Sequence, residues 1–131
     1  MKKTLTPGIS AETRHRVVTE NLVSFRRGGA PPVLCTPWLL HFMETAAYEA
    51  VQPHLEQGEG SVGYGFDFKH LAPTPAGDTV VSTAIVTAVE GNLVTLQIES
   101  RDSQALIAKG QHTRAVIDLD RFKRRLKKRE K

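Results

Sequence analysis

One stretch, residues 36–52, most strongly limits how this chain of 131 residues can fold. Thr36 followed by Pro37 is a typical helix start, because the hydroxyl can cap the first amides and proline has no N–H to satisfy. Gln52 followed by Pro53 predicts the helix end. Apolar residues cover most of this helix, so it must be enclosed by other elements and cannot lie along one edge of them.

The rest of the chain reads mainly as strands. A mixed apolar and polar stretch at residues 13–25 is compatible with a first strand. Four further strand-like runs, partly alternating and rich in β-branched residues, are predicted at about 61–71, 78–90, 93–101 and 105–118. Short turn-like links between the last three predict an antiparallel meander. We therefore expect an α+β chain with a hotdog fold, in which a curved antiparallel sheet encloses one long central helix.

The positive charge of the chain is concentrated at its C-terminal end. The formal net charge is +4, yet residues 119–131 hold eight Lys or Arg against two acids, and residues 1–118 hold ten against twelve. We therefore divide the chain into a hotdog domain, residues 1–118, and a basic helical tail, residues 119–131. Such a tail can bind nucleic acid through phosphate contacts, but a solvated helix end is the commoner outcome.

Cys35 is the only cysteine, which predicts a protein without an internal disulfide and a cytoplasmic location. No run approaches the roughly 20 apolar residues that cross a bilayer, and the first residues lack the apolar core of a secretory signal. We therefore expect no membrane association. Beside a helix start Cys35 could be a reactive thiol, but a small buried residue is the commoner role. No spacing of His and Cys predicts a metal site.

Three polar side chains are candidates for chemistry. Glu44 lies on an apolar face of the helix, where a carboxylate needs a hydrogen bond or a positive partner, unless it belongs to a polar side shared with Glu49. His70 ends a strand before a Pro-rich turn and, unless it is a surface histidine, can exchange protons near neutrality. Thr36 is expected to cap the helix. It lies eight residues from Glu44, roughly 12 Å along the axis, so His70 or a water must stand between them.

Several short sequence blocks between about residues 33 and 122 follow one another in a characteristic order and spacing. They are Thr36 followed eight residues later by Met43-Glu44, then residues 55–63, His70 with residues 74–77, residues 110–117 and Phe122. In this order the chain resembles the fluoroacetyl-CoA thioesterase family of hotdog proteins. The resemblance covers most of the chain.

The resemblance implies a set of site residues. The family's catalytic threonine, glutamate and histidine fall on Thr36, Glu44 and His70. A glycine that contributes its backbone falls on Gly63, and an arginine near the ligand falls on Arg114. From the residues alone, the glycine could instead mark close strand packing or a bulge, and the arginine a surface salt bridge. The resemblance also implies a homodimer with the active site where the subunits meet.

The expected function is hydrolysis of a small or medium acyl-CoA thioester, with no cofactor besides the coenzyme A of the substrate. Residues 28–34 lack the aromatic side chains that form a lid in the fluoroacetate-specific enzyme, and Pro37 and His41 replace its glycines. We therefore do not expect fluoroacetyl specificity. The alternative is a non-catalytic acyl-CoA-binding or regulatory hotdog protein. Nucleic-acid binding through the tail is less favoured. A hotdog hydratase is also less favoured, because the Asp-plus-His signature expected of that group is absent from the sequence.

Overall fold

The computed structural model describes residues 1–130 and contains the long helix at its centre. This helix, α1, spans Thr36–Val51 and ends close to the position that the proline at 53 predicts. A 3₁₀ turn follows at Gln52–His54. The expected cap is wrong by one residue. Cys35 is the N-cap, without a side-chain hydrogen bond, and Thr36 is the first helical residue. The threonine hydroxyl is therefore not used on the helix amides and is free to bond elsewhere.

Five strands form one antiparallel sheet in the order β1-β3-β4-β5-β2. Their bounds are Ser10–Arg16 for β1, Glu59–His70 for β2, Thr79–Glu90 for β3, Leu93–Arg101 for β4 and Leu106–Asp118 for β5. Strands β3, β4 and β5 are the predicted meander. Strand β2 pairs with β5, and β1 pairs with β3, so both are edge strands.

The first strand was expected within residues 13–25, and this placement is mostly wrong, because only residues 13–16 of that range belong to a strand. Strand β1 ends at Arg16, and a 3₁₀ turn follows at Thr19–Asn21. The carboxamide oxygen of Asn21 accepts a hydrogen bond from the backbone N–H of Val18. A local side-chain bond of this kind competes with strand pairing, and the apolar composition of the segment did not reveal it.

The sheet wraps around α1, which contacts β1, β2, β3 and β4. The helix buries seven side chains: Leu39, Phe42, Met43, Ala46, Ala47, Ala50 and Val51. Three of these are alanines, which lets the strands approach the helix axis closely. Strand β4 alternates strictly, with its buried side chains at Val94, Leu96, Ile98 and Ser100. The core thus lies between α1 and the concave face of the sheet, and Glu44 stands at the border of the buried helix face.

A second helix, α2, spans Leu119–Arg129 and continues directly from β5. The carboxylate of Asp118 accepts a hydrogen bond from the backbone N–H of Arg121 and caps the helix. The division into a domain of residues 1–118 and a tail of residues 119–131 stays a prediction, and Lys131 lies outside the described residues. Among residues 1–130, no helix combines the length and apolar character that crossing a membrane would need.

Candidate active site

The carboxylate of Glu44 is held against strand β2 by a buried arginine. The guanidinium of Arg114, on β5, donates from Nη1 to Oε2 of Glu44 over 3.0 Å. The arginine side chain is only 6% exposed, whereas that of Glu44 is 40% exposed. The ion pair therefore has a buried cation and a carboxylate that solvent reaches. A surface salt bridge, the alternative that the sequence left open for Arg114, is wrong.

Gly63 makes room for this carboxylate. A Cβ atom at this glycine would stand 2.5 Å from Oε2 of Glu44, which is closer than van der Waals contact allows. Gly63 is paired with Arg114 across the β2–β5 ladder, and the register shifts between positions 63 and 65. The glycine thus stands at a bulge, which was one of the interpretations made from sequence, and it also leaves room for the acid.

Ser61 and His112 fix the orientation of the guanidinium. Nε of Arg114 donates to the hydroxyl of Ser61 over 2.9 Å, and Nη2 donates to the Ser61 carbonyl over 3.1 Å. Nη1 also donates to Nε2 of His112 over 3.2 Å. Every nitrogen of the guanidinium therefore has a partner, as a buried charge requires.

His112 is a neutral hydrogen-bonded spacer in this network. Its Nδ1 lies 2.8 Å from the carbonyl oxygen of Gly65, which can only accept, so Nδ1 carries the proton and Nε2 is free to accept from Arg114. The pKa of His112 is lowered, mainly by burial of the ring. The Gly65 carbonyl and Glu44 raise this pKa by smaller amounts, and Arg114 lowers it further. The ring is also stacked on Phe66 at 4.0 Å between centroids.

Thr36 and His70 form a second pair. The threonine hydroxyl lies 2.9 Å from Nδ1 of His70, at the point where α1 begins and β2 ends. Nε2 of His70 is buried and has no partner among the described residues. Burial lowers the pKa of His70, and a hydrogen bond with the Ala72 backbone raises it by less. The imidazole is therefore neutral at neutral pH and has one nitrogen available for proton transfer.

The Glu44 carboxylate and the Thr36–His70 pair lie far apart within one chain. Thr36 and Glu44 are separated by roughly 12 Å along α1, at 1.5 Å for each residue. Gly63 and His70 are seven residues apart on β2, which is about 23 Å at 3.3 Å for each residue. The predicted set is therefore only partly assembled: Glu44, Gly63 and Arg114 are together, and the Thr36–His70 pair is elsewhere.

A pocket of about 610 Å³ opens beside Glu44. Glu44, Gly63 and Arg114 line it, together with Tyr48, Glu59 and Leu119. The ring of Tyr48 lies 5.9 Å from the guanidinium carbon of Arg114 and completes the wall around the ion pair. A volume in this range suits a small organic ligand.

Two residues of the network, Ser61 and His112, were not identified from sequence. Each stands two positions before a predicted site residue on the same strand, Ser61 before Gly63 and His112 before Arg114. Alternation along a strand places such pairs on one face, so the signal was present once β2 and β5 were paired. Cys35 is half-buried, and its thiol remains without an assigned role.

Comparison with known proteins agrees with this architecture. A family model described as fluoroacetyl-CoA-specific thioesterase matches residues 17–120. The fluoroacetyl-CoA thioesterase of Streptantibioticus cattleyicolor is 40% identical over 92 residues, which are 70% of this chain and 66% of that protein. The matched segment thus spans slightly under two-thirds of that relative.

Solved structures show the same likeness. A single-residue mutant of the fluoroacetyl-CoA-specific thioesterase, in complex with fluoroacetate and CoA, is 34% identical with a TM-score of 0.83, covering 90% of this chain and 99% of that one. A thioesterase superfamily member from Thermus thermophilus is 30% identical with a TM-score of 0.88, covering 97% and 96%.

The helix enclosed by an antiparallel sheet is the hotdog architecture of the thioesterase superfamily. Within that class, the chain belongs to the fluoroacetyl-CoA-specific thioesterase family. The predicted fold and the predicted family are both confirmed.

The contact between Gly63 and Glu44 generates a prediction. In Gly63→Ala the added methyl group displaces a flexible carboxylate rather than backbone, so the fold is expected to persist. Displacing a reacting group by about 1 Å typically costs on the order of 10²-fold in rate, and we expect a loss of that size in thioester hydrolysis. Thiol release from acyl-CoA and thermal unfolding measure the two effects.

Gly65→Ala is the matched control, since a Cβ atom there meets nothing within 4 Å. Equal activity in Gly63→Ala and the wild type would show that the position of the carboxylate is unimportant.

Proposed function

We propose that this protein hydrolyses the thioester of a small or medium acyl-CoA to the free acid and coenzyme A. The observation that carries the proposal is the Glu44 carboxylate, held by a buried arginine against a glycine at the wall of an open pocket. A neutral histidine with a free nitrogen supplies the second chemical group. In the chemistry proposed, water and the thioester are the only other reactants, and no cofactor or metal takes part.

The acyl group is proposed to differ from fluoroacetyl. Residues 28–34 contain no aromatic side chain that could cover a small acyl group. His41, whose counterpart in the fluoroacetate-specific enzyme is a glycine, lines the pocket beside Glu44. A pocket lined by this imidazole and lacking an aromatic cover favours acyl groups that need no tight aromatic enclosure.

In the proposed mechanism Glu44 attacks the thioester carbonyl or activates a water that does so. A backbone amide binds the developing oxyanion, from Gly63 or from the first turn of α1. In that turn the amide of Leu39 already donates to the Cys35 carbonyl, and Pro37 has no N–H, which leaves the amides of Thr36 and Trp38 as donors. Neutral His70 accepts the proton that the hydrolytic water gives up and returns it to the departing thiolate, and the Thr36 hydroxyl orients the imidazole.

A homodimer would bring the two groups together. Strand β2 is an edge strand, and it is exposed from Gly63 to Gly65, with Tyr64 69% exposed. An edge of this kind is a template for pairing with another strand. If two copies of β2 pair antiparallel about a two-fold axis between positions 63 and 70, Gly63 of one protomer lies opposite position 70 of its partner. Each site would then combine Glu44 from one protomer with the Thr36–His70 pair from the other.

The proposal includes a cytoplasmic location, supported by the single cysteine and by a substrate class that contains coenzyme A. The alternative is an acyl-CoA-binding protein without turnover. It is favoured by the distance between Glu44 and His70 within one chain, and tight acyl-CoA binding without thiol release would support it.

Substitution of the proposed catalytic residues gives a direct test. We expect Glu44→Gln and His70→Ala each to lower kcat by roughly 10²–10⁴-fold, the range for loss of a proton-transfer group, while circular dichroism stays unchanged. Glu49→Gln is the matched control, because it removes an exposed carboxylate from the same helix. Normal thiol release by either variant would refute the assigned roles.

Sharing of the site between protomers predicts complementation. Glu44→Gln and His70→Ala are each nearly inactive alone, but a heterodimer of the two contains one intact site if the groups come from different chains. Random mixing after joint refolding should therefore restore about a quarter of wild-type activity. No recovery in mixtures shown to contain heterodimers would place both groups of each site on one chain.

The lowered pKa of His70 predicts the acid limb of the pH profile. A histidine whose pKa lies below its ordinary value stays neutral, and able to accept a proton, down to a lower pH. Activity is then present above pH 6.5 and falls only as the pH drops through the lowered pKa. We expect the acid midpoint of kcat/KM below 6.5, matched by an NMR titration of the ring assigned through His70→Ala. A midpoint at or above 6.5 would contradict this.

A further inference from the structure

Helix α2 carries a dense and uncompensated positive charge. Seven of its eleven residues are Lys or Arg, and Asp120 is the only acid among them. Across residues 1–130, none of the ion pairs includes a side chain of α2. The body of the protein, residues 1–118, holds more acids than bases. These cations therefore do not stabilise the fold through ion pairs and are available to an external anion.

Among the described residues that line the pocket, no Lys or Arg is free to bind an anion. Arg114 is the only Lys or Arg in this described lining, and its guanidinium is already bound to Glu44, His112 and Ser61. The other charged groups in the lining are the carboxylates of Glu44 and Glu59, of which Glu59 is paired with the N-terminal amino group. An acyl-CoA carries several phosphate charges beyond its pantetheine arm, and the pocket walls provide nothing to neutralise them.

The basic helix begins at the rim of this pocket. Leu119, its first residue, lines the pocket, and its backbone N–H donates to the carbonyl of Gly58 over 2.9 Å. The Leu119 side chain packs closely over Gly60, and a Cβ atom added to Gly60 would stand 2.8 Å from Cδ2 of Leu119. From this anchored start the helix extends for eleven residues, or roughly 16 Å at 1.5 Å for each residue.

We infer that α2 binds the phosphates of the coenzyme A portion of the substrate, an inference that rests on the proposed function. Lys123 and Lys127 follow Leu119 at intervals of four, so they share the helix face of the residue that lines the pocket. Arg124 and Lys128 lie on the opposite face. The substrate would enter with its acyl group beside Glu44 and its phosphates along the lysine face.

The test compares two double variants with the same loss of charge. Lys123→Gln/Lys127→Gln removes the cations on the pocket face, and Arg124→Gln/Lys128→Gln removes those on the far face. The rates are measured with an acyl-CoA and with the phosphate-free acyl-pantetheine of the same acyl group. We expect the ratio of kcat/KM between the two substrates to fall roughly three- to tenfold in the first variant only, through KM.

Inhibition by adenosine 3′,5′-bisphosphate, which carries phosphates without a thioester, should weaken in the same variant and weaken with salt in the wild type. An unchanged substrate ratio in the pocket-face variant, or equal effects of both variants, would overturn the inference. So would nucleic-acid binding through α2 without any effect on the ratio. Each of these results leaves hydrolysis itself intact, whereas wild-type protein that cleaves neither substrate would refute the proposed function instead.

Discussion

The buried guanidinium of Arg114 is the interaction on which the candidate site depends. A buried charge is costly unless it is paired and hydrogen-bonded. Here the compensation is distributed over Glu44, Ser61 and His112, which come from α1, β2 and β5. The network therefore ties the central helix to β2 and β5 and fixes the carboxylate at the pocket wall. The same contacts therefore position the acid and stabilise this end of the sheet.

The same hydrogen-bond network requires His112 to be neutral. Its Nε2 can accept from the guanidinium only while it carries no proton, and burial keeps it in that state. A charged imidazole at this position would stand against Arg114 and would lose its role as an acceptor. Burial also keeps His70 neutral, although its neighbour is a threonine hydroxyl and not a cation. Two neutral histidines thus serve two tasks, one structural and one proposed to be chemical.

Much of the fold follows from local sequence. The boundaries of α1 are set by prolines at positions 37 and 53, and the last three strands are separated by short polar turns, so each was placed within about two residues of its observed position. The first strand was misplaced because Asn21 bonds to the backbone of its own segment, a contact that hydrophobic patterning does not register. Thr36 was expected to cap α1, yet its hydroxyl is bound to a residue 34 positions away, which no local rule could indicate.

The resemblance to the family, and not local patterning, indicated Arg114 as a site residue. The sequence by itself determined the kind of elements and the single enclosed helix. Periodicity and turn chemistry act over a few residues, and these features need no more than that. The pairing of β2 with β5, and with it the contact of Gly63, Arg114 and Glu44, was decided only by the tertiary structure. The partners of a buried charge are chosen by which strands become neighbours, and that choice depends on the packing of the whole sheet around the helix.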